Sequence, residues 1–162
     1  MHVMDTLDID ALFVGEPVFE RRCYMLDVSR DRVPTLETLA WLIGILGRLR
    51  FNELQLYIEH AFTYQGHEVV WRGASAYTPQ DLAAVKKLAS KAGIELVANS
   101  NCFGHMERWL AHDDYSDRAE CPGGVSDSRS GVVSVPTCLE PTQDNAEFAL
   151  GLIREMVEAV DS

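Results

Sequence analysis

The 162-residue chain carries 14 Lys and Arg against 25 Asp and Glu, a formal net charge of −11. A surface this acidic repels phosphate backbones and anionic lipid, so nucleic acid and anionic membranes are excluded as expected partners. With 47% hydrophobic and 24% charged residues, 11 Gly and 6 Pro, the composition is that of a globular protein able to bury a sizeable core, not of a disordered or low-complexity chain. No basic segment followed by an apolar stretch opens the sequence, and no apolar run approaches the ~18 residues of a membrane helix, so a soluble, non-secreted protein is expected. Cys23, Cys102, Cys121 and Cys138 form no CxxC pair and fit reduced thiols in a cytoplasmic setting. A zinc set drawn from Cys102, His105, His112 and Cys121 matches no ligand spacing, so neither a metal nor a cofactor is expected.

In chain order, residues 1–20 are acidic and without a strong period, and read as a lead-in or linker. Cys23 to Val28 is a short, mostly apolar run that predicts a strand buried on both faces. After Pro34-Thr35, apolar residues recur at Leu36, Leu39, Ala40, Ile43, Leu46 and Leu49, the spacing of one helix face. Glu53 to Glu59 alternates Leu54, Leu56 and Ile58 with Gln55, Tyr57 and Glu59, which predicts a second strand. A loop from Ala61 to Tyr77 leads to Thr78-Pro79-Gln80-Asp81, a cap with Pro in the first helical position and an acid at the third. The helix that follows buries Leu82, Val85, Leu88, Ala89 and Ala92 and ends at Gly93. Ile94 to Asn99 is the third strand. A long connection from Ser100 to Pro141 precedes a last helix from about Asp144 to Val160, with Ala149, Ile153, Val157 and Val160 on one side. Strand-then-helix alternation of this kind calls for a parallel α/β sheet, closed or open.

In either architecture the working face lies at the carboxyl ends of the strands. There the sequence places Asp27-Val28-Ser29-Arg30, Glu59-His60, and Asn99-Ser100-Asn101 with Gly104-His105 just beyond. No glycine-rich phosphate loop follows the first strand and no GxSxG elbow is present, which argues against a dinucleotide enzyme, a flavodoxin-like domain and acyl transfer. What remains is an acidic, histidine-bearing rim with the aromatics Phe62, Tyr64, Trp71 and Trp109, a set suited to sugar hydroxyls and pyranose faces. Each residue also has a plain explanation. Asp27 can cap the turn it begins, Arg30 can pair on the surface, and Trp71 and Trp109 can cover core.

Five stretches, Arg22 to Arg30, Phe51 to Tyr57, Tyr77 to Leu82, Gly93 to Val97 and Phe103-Gly104-His105, together resemble the start of the catalytic domain of glycoside hydrolase family 20, the β-N-acetylhexosaminidases. The resemblance runs in order from about Arg22 to the last helix, so residues 21–162 are expected to form the N-terminal part of such a domain. It implies a (β/α)8 barrel of the TIM type, present here as about its first three β/α units. It also implies retaining, substrate-assisted hydrolysis of terminal N-acetylhexosamine, in which the substrate's acetamido oxygen attacks the anomeric carbon. The family's Asp-Glu pair at the end of the fourth strand orients that group and protonates the leaving oxygen.

By the same resemblance Arg22 matches an arginine that holds sugar hydroxyls, and His105 matches a histidine that supports the catalytic acid. Glu59 stands where the family commonly has the Asp that partners this histidine, and Cys23 stands where a small residue is common. Asp27 and Arg30 match the first-strand motif as structural residues. His60, Asn101 and Trp71 complete the expected sugar-binding set. The chain stops at Asp161-Ser162, before the Asp-Glu pair would arrive, so it is expected to lack the general acid and to be inactive by itself. Three strands cannot close a barrel, and open sheet edges would invite self-association. The alternative is a non-catalytic α/β module that binds carbohydrate or a partner chain through the same rim.

Overall fold

A computed structural model describes residues 15–29, 32–121, 125–126, 133–134 and 136–161. Three strands, β1 (Cys23–Asp27), β2 (Glu53–Ile58) and β3 (Glu95–Ser100), form one parallel sheet in the order β1-β2-β3. The helix α1 (Leu36–Arg48) connects the first two strands; the short α2 (Glu68–Trp71) and then α3 (Pro79–Lys91) connect the second and third. After β3 come the four-residue helices α4 (Glu107–Leu110) and α5 (Asp113–Ser116), a two-residue antiparallel pair β4 (Val125–Ser126) and β5 (Val133–Ser134), and the long helix α6 (Gln143–Asp161). This is a partial α/β fold, as the alternation of elements predicts. The outer edges of β1 and β3 pair with no other strand among the described residues.

The register is continuous: Tyr24, Leu54 and Leu96 lie side by side, and Leu26, Leu56 and Ala98 beside them. One sheet face is therefore apolar, and it is the face the helices cover. α3 packs against α1 on one side, α6 on the other, and β3 beneath. Leu39, Ile43 and Leu46 of α1 and Leu82, Val85 and Ala89 of α3 are buried there, along the stripes that the sequence period marks out. The Thr78 cap is also as expected: its side chain accepts from the Asp81 N–H while the Asp81 carboxylate accepts from the Thr78 N–H and hydroxyl, and Pro79 opens the helix. Gly93 closes the turn after α3 at φ +72°, where a side chain would be strained.

Three expectations need correction. β1 is not buried on both faces: Cys23, Met25 and Asp27 are exposed while Tyr24 and Leu26 are partly covered. An edge strand of a sheet covered on one side can bury only alternate residues, and the apolar run hid that period. In α6 the buried residues are Asn145, Ala149, Leu152, Met156, Ala159 and Val160, whereas Val157 is exposed. The predicted stripe is kept at Ala149 and Val160, and between them Leu152 and Met156, at the same spacing, take the fully buried positions while Ile153 packs at the margin. Third, Phe62, Tyr64 and Trp109 are not rim aromatics; all three are essentially inaccessible to solvent.

The approach of α1 to α3 runs through Gly47, where a Cβ would lie 3.3 Å from both the Cβ and the carbonyl oxygen of Ala92; at Gly44, one turn earlier, a Cβ would meet nothing within 4 Å. Gly44→Ala is therefore expected to stabilise the fold by about 0.5–1 kcal/mol through helix propensity alone. Gly47→Ala should lose most or all of that gain to the Ala92 contact. Urea midpoints at unchanged slope read the difference; equal gains at the two positions would refute the close approach.

Candidate functional site

The other face of the sheet carries Cys23, Met25 and Asp27 of β1, Glu53, Gln55 and Tyr57 of β2, and Glu95, Val97 and Asn99 of β3. No described helix covers it, and Met25 on the edge strand β1 is 55% exposed. Its polar side chains bond to one another across the strands. The Asn99 amide donates to Gln55 Oε1 at 2.8 Å, and Gln55 in turn donates to Glu53 Oε1 at 2.7 Å. That bond is the main cause holding the Glu53 carboxyl below its ordinary range, against the opposing effect of burial. The second oxygen of Glu53 makes no aligned hydrogen bond among the described residues, but the Arg21 guanidinium lies 2.9 Å from it as an ion pair.

At the carboxyl end of this face three residues form a directed chain. The Asn101 amide donates to the Tyr57 hydroxyl at 2.6 Å, and the Tyr57 hydroxyl donates to Glu59 Oε1 at 3.0 Å. Glu59 is buried, and its N–H donates to Ser29 Oγ at 2.7 Å. Asp27 caps the turn before it by accepting from the Ser29 N–H, as its plain explanation holds. Beyond β3, Asn101 Oδ1 accepts from the Gly104 N–H at 3.3 Å, tying the Gly104-His105 turn to the same cluster. His105 sits there at φ +54°, about half exposed, with its Nδ1 4.0 Å from a carboxylate oxygen of Glu107.

The structure thus brings Glu59, Asn101 and the His105 turn to one end of the sheet, and adds Tyr57, which the sequence marks only as a strand residue. The signal was present: Gln55, Tyr57 and Glu59 are the polar half of the β2 alternation. His60 is next to this group and lines a separate cleft with Ser29 and Arg108.

Arg22 and Trp71 lie elsewhere. Arg22 precedes β1 at the amino end of the sheet, where its guanidinium donates to the carbonyls of Phe19, Glu20 and Arg50. Its donors serve to dock the lead-in segment, and Asn52 and Arg50 bind the same segment through Glu20 and Gly15. Trp71 is partly buried against the core, donates its indole N–H to the Tyr64 carbonyl at 2.8 Å, and borders a groove with Glu155 and Glu158 of α6. Arg30 lies outside the described residues. The zinc donors weighed from the sequence form no metal-binding group among the described residues: Cys102, for one, is buried with its thiol on the Ala149 carbonyl.

Beneath the carboxyl-end loops lies an aromatic cluster of Tyr64, His67, Trp109, Tyr115 and Phe148, with neighbouring ring centroids 5.3 to 6.0 Å apart. His67 Nδ1 is 2.6 Å from the Tyr115 hydroxyl, and the Arg118 guanidinium lies 4.5 Å from the Phe148 ring centroid. Burial pushes the His67 pKa below its ordinary value; Glu155 and Glu68 oppose the shift and Arg118 adds to it. The cluster anchors α4, α5 and α6 to the loop after β2.

No family model matches the chain. Among curated proteins it is similar to hexosaminidase D from Homo sapiens, 26% identical over 146 residues that make up 90% of this chain and 27% of that protein. It is likewise similar to hexosaminidase D from Bos taurus, 26% identical over 127 residues, 78% of this chain and 33% of that protein. The chain therefore spans about a third or less of the length of these relatives. Among solved structures, the family 20 β-N-acetylhexosaminidase from Streptomyces coelicolor superimposes with a TM-score of 0.68 at 19% identity, over 88% of this chain and 31% of that one. A Streptomyces plicatus β-hexosaminidase variant, solved in complex with its product GlcNAc, matches equally at 18% identity. The fold is that of a portion of these enzymes. Over most of its length the chain is thus similar in sequence to hexosaminidase D and in fold to part of the family 20 β-N-acetylhexosaminidases.

The His67 environment predicts a pH dependence of stability. A half-buried histidine whose folded pKa is depressed favours the neutral form, so its contribution is fully present above the unfolded value of 6.5 and is lost as pH falls through the lower folded value. The urea midpoint is expected to drop more steeply as pH falls below 6.5 in the native chain than in His67→Gln. Parallel profiles for the two proteins would show that His67 is not held neutral.

Proposed function

We propose that the chain forms the first three β/α units of a (β/α)8 barrel of the β-N-acetylhexosaminidase type, and that the carboxyl end of its uncovered sheet face is part of the site for a terminal N-acetylhexosamine. The observation that carries this reading is the Asn101–Tyr57–Glu59 chain. It places an amide, a hydroxyl and a carboxylate in fixed directions at the end of the sheet where parallel α/β proteins bind ligands. Such side chains suit sugar hydroxyls, because each can donate or accept at defined angles.

In this reading Glu59 positions and does not react. It is buried and already accepts from Tyr57, whereas a general acid must reach the glycosidic oxygen. Its role is to orient Tyr57 and, through Asn101, the turn that carries His105. The substrate's acetamido oxygen acts as nucleophile in this class of reaction, and the acid comes from outside these residues: no Asp-Glu dipeptide occurs in the sequence. The same geometry favours, as a second reading, a sugar-binding module without catalysis, since each bonded group in the Asn101–Tyr57–Glu59 chain holds rather than transfers a proton.

Titration with N-acetylglucosamine, followed by NMR, is expected to shift the amides of Tyr57, Asn101, Gly104 and His105 saturably. Asn101→Ala, which cuts the link between Tyr57 and the Gly104 turn, should weaken binding roughly tenfold, the size of one lost hydrogen bond in a preorganised set. Shifts confined to the amino end of the sheet around Arg22 and Arg50, or none, would sink the proposed site. Turnover of a chromogenic N-acetylglucosaminide that survives Glu59→Gln and His105→Ala would sink the assignment of roles.

A further inference from the structure

Beside the Glu59 group lies a cleft of about 430 Å3, in the size range of small-molecule sites. Its wall includes Ser29, Arg32, His60, Ser75 and Arg108, and no carboxylate is among the described residues that line it. In a chain of net charge −11 that composition runs against the rest of the surface. The Arg108 guanidinium is fixed at the wall, because its Nε donates to the Val70 carbonyl and its Nη2 to the Arg72 carbonyl. Neither bond is to an acid, so its positive charge is not neutralised by these partners. Ser29 joins the two places: it lines the cleft, and its hydroxyl accepts the Glu59 N–H.

We propose that this cleft is a subsite for a tetrahedral oxyanion, a sulfate or phosphate ester carried by the sugar that the Glu59–Tyr57–Asn101 group holds. The sugar half of the statement rests on the function proposed above; the anion half rests on the cleft alone. Guanidinium groups form charge-assisted, often paired bonds to such oxygens. The acidic surface does not cancel this, because exposed charges are screened beyond about 8–10 Å at physiological salt, whereas the cleft's cations act at contact.

The test uses the full chain and three probes: inorganic sulfate, N-acetylglucosamine, and the sulfated and phosphorylated forms of that sugar. Sulfate is expected to shift the amides of Ser75 and Arg108 saturably, more weakly at high salt. Arg32→Gln should weaken it at least fivefold. Ser75→Asp should abolish it, since residue 75 sits at φ +53°, a conformation Asp tolerates, and the new carboxylate would face the anion. Sulfate binding that is absent, or indifferent to both substitutions, overturns the subsite. Roughly tenfold tighter binding of an ester than of the neutral sugar supports the full statement, and equal affinities overturn its substituent half. Sulfate binding without any sugar binding would leave the anion subsite standing and remove the sugar site instead.

Discussion

Parallel pairing in strict register, from Cys23 with Glu53 with Glu95 to Ile58 with Ser100, is the constraint from which the rest of the molecule follows. It sorts each side chain of the sheet to one of two faces and lets neither strand slip without exchanging them. On one face Leu54, Leu56 and Ile58 line up with Tyr24, Leu26 and Leu96, and three amphipathic helices cover them. On the other, Asn99 meets Gln55, and Asn101 just beyond β3 meets Tyr57, each pair close enough to bond. A slip of one residue would bury Gln55 and Tyr57 under α3 and expose the leucines, so the same apolar contacts that stabilise the fold also hold the polar group together.

The carboxyl-end loops are held by a different set of forces. α2, α4 and α5 are each four residues long, too short to persist by helix propensity. What fixes them is the aromatic cluster around Trp109, together with the Arg108 bonds to Val70 and Arg72 and the Trp71 bond to Tyr64. Large rings bury much apolar area with few rotatable bonds, which makes them efficient at ordering loops. The same cluster leaves the Trp109 indole N–H buried with no hydrogen-bond partner among the described residues, a local cost that the surrounding ring contacts must offset.

Elements whose stability is local were legible in the sequence. The Thr78–Asp81 capping box, the Gly93 turn and the stripes of α1 and α3 depend on residues a few positions apart. The site was legible only where strand ends announce it, as at Glu59 and Asn101. What could not be read was decided by contacts distant in sequence. Tyr64 and Trp109 look like rim aromatics until the last helix is laid beside them: Phe148 of α6 packs edge-on to Trp109, and Trp109 in turn packs against Tyr64. No local pattern around either residue announces those partners. For Arg22 likewise, a motif match fixes its place in the chain but not which carbonyls its guanidinium meets, and here it meets those of Phe19, Glu20 and Arg50.

The polarity of the uncovered face bears on what that face is for. Parallel sheets are normally buried on both sides and read as continuous apolar strands, and barrel interiors are filled largely by branched apolar side chains. Here the middle strand instead offers Gln55 and Tyr57 between two buried carboxylates, Glu53 and Glu59. A polar layer in such a position is costly unless its members satisfy one another. They do so within these three strands: Asn99 to Gln55 to Glu53 toward the amino end, and Asn101 to Tyr57 to Glu59 toward the carboxyl end. The network therefore needs no further strand to complete these bonds. Its donors and acceptors are already directed by one another, which would lower the ordering cost of the sugar binding proposed for the carboxyl end.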